Sequence, residues 1–109
     1  MRKEIDKLGT VRYFNENNKL HREDGPAVEH TNGRKSWRKN GKLHREDGPA
    51  MEYANGDKYW FKDGKRHRED GPAIENTNGY KDYWHNDIRY PKIKTDEEWI
   101  KFVKLMVFQ

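Results

Sequence analysis

One heptapeptide recurs in this chain at a fixed interval. His-Arg-Glu-Asp-Gly-Pro-Ala occupies residues 21–27, 44–50 and 67–73, so that successive copies begin 23 residues apart. A repeat of this length is one supersecondary unit that buries its apolar face only against its neighbours. The 109 residues therefore predict one repeat domain. We divide it into a degenerate half-repeat at 10–20, repeats at 21–43, 44–66 and 67–89, and a C-terminal helix at 95–108.

Aligning the repeats reveals columns of similar residues. Each repeat carries an Asn-Gly pair between an apolar position and an aromatic one. Such regular spacing is typical of strands that stack in register. The aromatic column contains Phe14, Trp37, Trp60 and Tyr83, and the apolar column contains Val28, Met51 and Ile74.

The turn residues predict how the strands pair. Asn-Gly favours a two-residue type I′ hairpin turn, because both central residues need positive φ. A turn at Asn32-Gly33 would place Val28 opposite Trp37, and a turn at Asn40-Gly41 would place His44 opposite Trp37. The same construction pairs Met51 with Trp60 and Ile74 with Tyr83. Asp-Gly-Pro would form the corner between repeats. The predicted fold is mainly β: an antiparallel meander of stacked hairpin repeats in a curved single sheet, with one C-terminal α-helix.

The residues after each central tryptophan resemble a known family. Trp37-Arg-Lys-Asn-Gly-Lys-Leu-His44 and Trp60-Phe-Lys-Asp-Gly-Lys-Arg-His67 are similar to the W-x-x-N-G-K-x-H stretch of MORN repeats, which also recur every 23 residues. MORN units usually continue H-G-x-G, whereas this chain continues H-R-E-D-G-P-A. The resemblance covers about residues 10–88. It implies a curved sheet used for protein contacts or, in some members, for membrane lipids. Arrays of DGPA-type units occur in viral and phage proteins, which implies a small inhibitor of a host factor such as a defence enzyme.

Composition narrows the class of protein. Hydrophobic residues make up 31% and charged residues 39%, which predicts a thin, mostly single-layer structure rather than a thick core. The chain has no cysteine, no apolar run long enough for a membrane span and no signal-peptide pattern, so we expect a cytoplasmic protein. The net charge of +4 mildly favours acidic partners, but acidic and basic residues are interspersed.

The C-terminal segment predicts an amphipathic helix. Thr95 and Glu98 form a capping-box pattern. Trp99, Phe102 and Met106 then lie on one stripe at helical spacing. This stripe would cover the end or the aromatic face of the sheet, or serve as a dimer or partner surface, and both roles are compatible.

Each corner also gathers groups that are able to bind metal or transfer protons. His21, Glu23 and Asp24, for example, recur in all three repeats. Three copies of one corner are more typical of structural packing than of one asymmetric catalytic or metal centre. There is no phosphate-binding loop, and Ser36 is the only serine. We therefore predict a non-enzymatic protein with no catalytic residue, metal site or cofactor.

The positions that vary between repeats are the candidate binding surface. They flank the aromatic column and point to the opposite face of the predicted sheet. Tyrosine, tryptophan and arginine, which occur there, are enriched in binding hot spots. The alternative is that the C-terminal helix covers them. The predicted partner-binding residues are Tyr13, Arg38, Tyr59, Phe61, Trp84, Trp99, Phe102 and Met106.

Two classes of function follow from this surface. The first is a module that binds a protein partner. The second is binding of nucleic acid or anionic lipid, because basic residues alternate with aromatic ones. Self-assembly is a further possibility, since a sheet has two edges and a homodimer is one way to cover them.

Overall fold

The structure is a computed structural model that describes residues 1–107. Within this range the chain forms 14 strands and one helix. Most strands are two residues long, because the chain turns at nearly every repeat position that bears an Asn-Gly, Asp-Gly or Gly-Pro pair. The elements are β1 (Arg2–Ile5), β2 (Val11–Phe14), β3 (Val28–Glu29), β4 (Lys35–Ser36), β5 (Arg38–Lys39), β6 (Lys42–Leu43), β7 (Met51–Glu52), β8 (Lys58–Tyr59), β9 (Phe61–Lys62), β10 (Lys65–Arg66), β11 (Ile74–Glu75), β12 (Lys81–Asp82), β13 (Trp84–His85), β14 (Ile88–Arg89) and α1 (Asp96–Val107).

The strands confirm the predicted class, a mainly β fold of antiparallel hairpins with one C-terminal helix. Eight strands form one sheet in the order β1-β2-β3-β4-β7-β8-β11-β12. The remaining strands form three separate hairpins, β5-β6, β9-β10 and β13-β14. Each repeat therefore contributes one hairpin to the large sheet and one small hairpin beside it. Backbone hydrogen bonds such as Gly64 N to Leu43 O (2.8 Å) join one small hairpin to the next.

The Asn-Gly turn within the large sheet differs from the prediction. His30 N donates to Arg34 O at 2.9 Å, so the loop has three residues rather than two. Gly33 has φ +97°, whereas Asn32 is not in the left-handed region. This is the loop in which a type I turn ends in a left-handed glycine. The extra loop residue places Val28 opposite Ser36, so the predicted pairing of Val28 with Trp37 is wrong.

The predicted pairings of Met51 with Trp60 and of Ile74 with Tyr83 are wrong for the same reason. Met51 pairs instead with Tyr59, and Ile74 pairs with Tyr59 and Asp82.

The turn of each small hairpin agrees with the prediction. Asn40 and Gly41 both have positive φ, at 51° and 84°, as a type I′ turn requires. His44 N donates to Trp37 O at 3.0 Å, which confirms that these two residues lie opposite each other. In the last repeat Asn86 and Asp87 keep the same turn without a glycine, with φ 47° and 70°.

The small hairpin before the first full repeat, closed by the pairing of Phe14 with Leu20, contains one more residue than the other small hairpins. Its loop spans Asn15 to Lys19, and His21 N donates to Tyr13 O (2.9 Å) in the way that His44 N donates to Trp37 O. Tyr13 therefore occupies the position of the aromatic column, and Phe14 is shifted to the neighbouring column. The sequence alignment places each of these two residues one column too early, because it runs through the loop without a gap.

Helix α1 begins where the capping box predicts. Glu98 N donates to Thr95 Oγ1 (3.2 Å), and the Thr95 hydroxyl donates to the Glu98 carboxylate (3.1 Å). The helix was predicted to extend to residue 108. Phe108 lies outside the described residues, and the described helix ends at Val107.

The helix closes the C-terminal end of the repeat stack. Trp99 is fully buried, packs against Tyr83 with ring centroids 5.5 Å apart, and donates from Nε1 to Arg68 O at 2.8 Å. Pro72, in the last corner, is also fully buried, whereas the equivalent Pro49 is half-buried. Helix α1 thus covers the end of the stack, one of the two positions that the sequence left open.

Candidate functional site

The arginine of each corner heptapeptide joins its repeat to the preceding one. The Arg45 guanidinium lies over the Trp37 ring, with Cζ 4.0 Å from the centroid. It also donates to Asp47 Oδ1 (3.1 Å) and to the carbonyl of Pro49 (3.1 Å). One side chain therefore fixes the aromatic ring, the aspartate and the proline of the corner. Arg22 and Arg68 repeat these contacts, with Tyr13 and Trp60 as their aromatic partners.

The histidine of each corner joins two successive small hairpins through a contact within its own repeat. His21 Nδ1 accepts a hydrogen bond from Asn40 N (3.0 Å), and its Nε2 lies 2.7 Å from a Glu23 oxygen. Since Nδ1 is an acceptor, the ring carries its proton on Nε2 and donates it to the carboxylate. His44 and His67 make the same two contacts in their repeats. The histidines are therefore engaged on both ring nitrogens by structural contacts.

Two negative findings apply to the described part of the chain. Within residues 1–107, no three histidine, cysteine, aspartate or glutamate side chains come together in an arrangement that would hold a metal ion. Helix α1 has neither the length nor the apolar character needed to cross a bilayer, and it is the one helix in this range.

The other side of the repeat stack differs from one repeat to the next. Residues paired directly across the large sheet carry their side chains on the same face, and one such row includes Ser36, Tyr59 and Asp82. The small hairpins add a second row next to it, since Arg38 Nε donates to Ser36 Oγ (3.4 Å). We call the surface formed by the two rows the aromatic–arginine face, and define it by Arg38, Tyr59, Phe61, Arg66 and Trp84.

Arginine and aromatic side chains alternate along this face. Arg66 lies directly across from Phe61 in the β9-β10 hairpin. Its guanidinium carbon is 4.9 Å from the Trp84 ring centroid and 5.9 Å from that of Phe61. Trp84 Nε1 donates to Asp82 Oδ2 at 3.0 Å, so the indole is held against the large sheet. All five residues that define the face are half-buried, which leaves part of each ring and each guanidinium open to a partner.

A cleft of about 490 Å³ adjoins the middle of the face. Tyr59 forms one wall and meets Tyr53 edge-on, with ring centroids 5.1 Å apart. Arg34 also lines the cleft. Burial raises the pKa of the Tyr59 hydroxyl, with smaller contributions from Tyr53 and Asp57, so this phenol is a neutral hydrogen-bonding group at physiological pH.

The structure separates the predicted partner-binding residues into three groups. Arg38, Tyr59, Phe61 and Trp84 lie together on the aromatic–arginine face. Tyr13 instead lies under Arg22, at the position of the aromatic column. The three helix residues belong to the aromatic cluster at the end of the stack: Trp99 is fully buried, and Phe102 and Met106 pack beside it, half-buried.

Sequence reasoning missed Arg66, Tyr53 and Arg34. Arg66 had a usable signal, because the correctly predicted type I′ turn already pairs it with Phe61. Tyr53 and Arg34 had none, because their position beside Tyr59 depends on the three-residue loops.

Comparison with known proteins gives no independent indication of function. No protein-family model, curated protein or solved structure matches this chain.

Proposed function

We propose that this protein is a non-enzymatic repeat module that binds a partner protein through its aromatic–arginine face. One observation carries the proposal: the aromatic cluster formed by α1 contains Tyr83 and not Trp84. Among residues 1–107, the helix therefore closes the stack and leaves the variable face uncovered.

The chemistry of the face supports a protein as the partner. Tyrosine, tryptophan and arginine bury a large area for little loss of conformational freedom, which is why they dominate binding hot spots. Here they lie on short strands held by turns and cross-strand bonds, so little ordering is needed when a partner docks. The resemblance of the repeat to MORN units, which are used for protein contacts, supports the same class of function.

The other side of the molecule supports a non-enzymatic role. The polar groups best suited to acid–base chemistry, such as His44 and Asp47, are engaged in contacts that recur in all three repeats. A repeated structural role accounts for these residues without a reaction.

The repeats themselves supply a conservative variant for testing the proposal. Tyr59→Ser with Phe61→Arg gives the second repeat the residues that the first repeat carries at Ser36 and Arg38. The stack already accommodates these side chains at equivalent positions, so the variant should fold. Asp63→Asn is the matched control, because it adds the same unit of positive charge and copies Asn40 of the first repeat.

The experiment is affinity capture of the tagged protein from a cell lysate, with and without nuclease. We expect a protein that survives nuclease treatment, is retained by Asp63→Asn and is lost with the Tyr59→Ser/Phe61→Arg variant. Loss of all captured material on nuclease treatment would contradict the proposal and indicate nucleic-acid binding. A protein captured equally by both variants would show that another surface binds it.

A further inference from the structure

Arg38 differs from every other half-buried arginine in the described chain. Its guanidinium donates to Ser36 Oγ (3.4 Å) and to the carbonyl of Gly41 (3.1 Å), and no carboxylate of residues 1–107 lies within ion-pair distance. A half-buried cation without an anion is unusual, because buried charges are normally paired. The other five half-buried arginines each have an aspartate partner: Arg12 with Asp6, Arg22 with Asp24, Arg45 with Asp47, Arg66 with Asp87 and Arg68 with Asp70.

The last repeat carries a carboxylate at the position that Ser36 occupies in the first full repeat. Asp82 is the structural equivalent of Ser36, and its carboxylate accepts hydrogen bonds from Arg89 Nε at 2.9 Å. The hydrogen bond to Asp82 raises the pKa of the Arg89 guanidinium. In the first full repeat the carboxylate is replaced by a hydroxyl, so the positive charge of Arg38 has no counterpart in the described part of the chain.

The surroundings of Arg38 increase this imbalance. Burial lowers its pKa, and the charge of Arg34 lowers it further. The guanidinium of Arg34 contacts only a neutral partner within residues 1–107, the Nε2 atom of His30 at 2.9 Å. Arg34 also lines the cleft beside Tyr59, so one unneutralised cation borders the aromatic wall, and its charge also acts on Arg38.

We propose that Arg38 and Arg34 receive a carboxylate from an acidic segment of the partner protein, while the adjoining Tyr59 packs against the apolar part of that segment. This inference rests on the proposed function and specifies the chemistry of the partner. An arginine fork donates two parallel hydrogen bonds to the oxygens of a carboxylate, which fixes the orientation of the ligand as well as pairing its charge.

A protein carboxylate suits the face better than a nucleic-acid backbone does. A polyanion needs a continuous row of free cations. Here the next arginines along the face, Arg66 and Arg89, already face Asp87 and Asp82. Asp57 also lines the cleft, so it would repel the successive phosphates of a chain that ran through it, whereas a protein segment is able to place an apolar side chain there. The arginines of this face therefore do not form a continuous row of free cations.

The test uses the side-chain Nε–Hε signal of Arg38 in ¹H–¹⁵N NMR spectra, assigned by its disappearance in Arg38→Gln. The probe is a blocked peptide of alternating glutamate and alanine, compared with the same peptide carrying glutamine. A short oligothymidine serves as the phosphate arm. We expect the Arg38 signal to shift with the glutamate peptide and not with the glutamine peptide.

A second variant supplies the missing carboxylate from within the chain. Ser36→Asp copies the buried Asp82 and should form an internal ion pair with Arg38, so its affinity for the glutamate peptide should fall at least about fivefold. Thermal unfolding checks that the variant folds, and Lys35→Gln, a change of an exposed charge on the other face of the same strand, should leave the affinity unchanged.

Three outcomes would overturn the inference: no shift of the Arg38 signal, a shift as large with oligothymidine as with the glutamate peptide, or unchanged peptide affinity in folded Ser36→Asp. The failure of this inference is distinguishable from failure of the proposed function. A captured protein that requires Tyr59 and Phe61 but binds Ser36→Asp normally would leave the proposed function intact and remove the acidic segment.

Discussion

The two sides of each repeat use arginine in opposite ways. On the corner side, the guanidinium of Arg45 contacts only groups of this chain that satisfy it: Asp47, the Pro49 carbonyl and the Trp37 ring. On the aromatic–arginine face, Arg38 has only neutral oxygen partners within residues 1–107. The corner sequence is the same in three repeats, whereas the face changes from Arg38 to Phe61 to Trp84 at one structural position.

This difference separates residues that build the stack from residues that are available to a partner. A side chain whose hydrogen-bonding groups are all satisfied internally gains little from a new contact and loses much when it is disturbed. A half-buried ring or unpaired guanidinium has the reverse properties. Substitutions on the corner side should therefore change stability, and those on the face should change binding.

The largest effect should come from the end of the stack, where Trp99 takes over the role of a corner arginine. Position 91 is proline, so no guanidinium covers Tyr83 in the way that Arg68 covers Trp60, and the indole of Trp99 lies there instead. Trp99→Ala should lower the free energy of unfolding by about 3–5 kcal/mol in urea denaturation. Leu105→Ala, on the exposed side of α1, should change it by less than about 0.5 kcal/mol. Equal effects of the two changes would refute the assigned role of the helix.

The next effect compares the two kinds of arginine directly. Arg45→Met keeps the length of the side chain but removes the ion pair, the bond to the Pro49 carbonyl and the contact of a cation with Trp37, and should cost about 2 kcal/mol of unfolding free energy. Arg38→Gln should cost less than about 1 kcal/mol, because no charge partner is lost. Chemical denaturation of both variants at one salt concentration checks this order, and a larger loss in Arg38→Gln would reverse the comparison.

The smallest predicted effect is a pH dependence that arises beside the corner histidine of the third repeat. His85 packs against His67, with ring centroids 4.5 Å apart, and its pKa is lowered first by burial and then by the charge of His67. The unfolded chain therefore binds more protons than the folded chain just below the ordinary histidine pKa of 6.5. The contribution of His85 to the free energy of unfolding should be fully present above that value, and it should be lost as the pH decreases through the folded pKa of His85.

Urea midpoints measured between about pH 8 and about pH 5 test this effect, because aspartate and glutamate side chains take up protons mainly at lower pH. His85→Gln should flatten the decrease. His30, whose pKa is also lowered by burial and by Arg34, should leave a residual slope. An unchanged slope in His85→Gln would show that the histidine pair has no such role.

The turns show how far the sequence could predict this fold. Asn40-Gly41 was predicted correctly, because both residues tolerate the positive φ that a type I′ turn requires. The same dipeptide at Asn32-Gly33 forms a longer loop, in which Asn32 Oδ1 accepts a hydrogen bond from Arg34 N (2.9 Å). Asn-Gly is compatible with both turns, and the choice depends on strands that pair elsewhere in the sheet. Local sequence therefore predicts the hairpin but not its register.

The candidate site was predictable to the same partial extent. Arg38, Phe61 and Trp84 were found because they vary at one position between identical corners. Tyr13 was misplaced by the extra residue in the first loop, and Trp99 is buried by a docking contact that only Pro91, in place of an arginine, could have signalled. The isolation of Arg38 from carboxylates depends on three-dimensional distances, so no pattern in the sequence would have indicated it.

The central claim is that the aromatic–arginine face binds the partner protein and that the corners stabilise the repeat stack. Paired measurements of binding and of unfolding on two variants test this claim most directly. Once a partner is captured, its affinity and the unfolding free energy would be measured for Tyr59→Ser/Phe61→Arg and for Arg45→Met. The account predicts that the face variant loses affinity at nearly unchanged stability, and that the corner variant loses stability but binds normally under conditions where it is folded. Normal binding by the face variant, together with lost binding by folded Arg45→Met, would contradict the account and move the binding site to the corners.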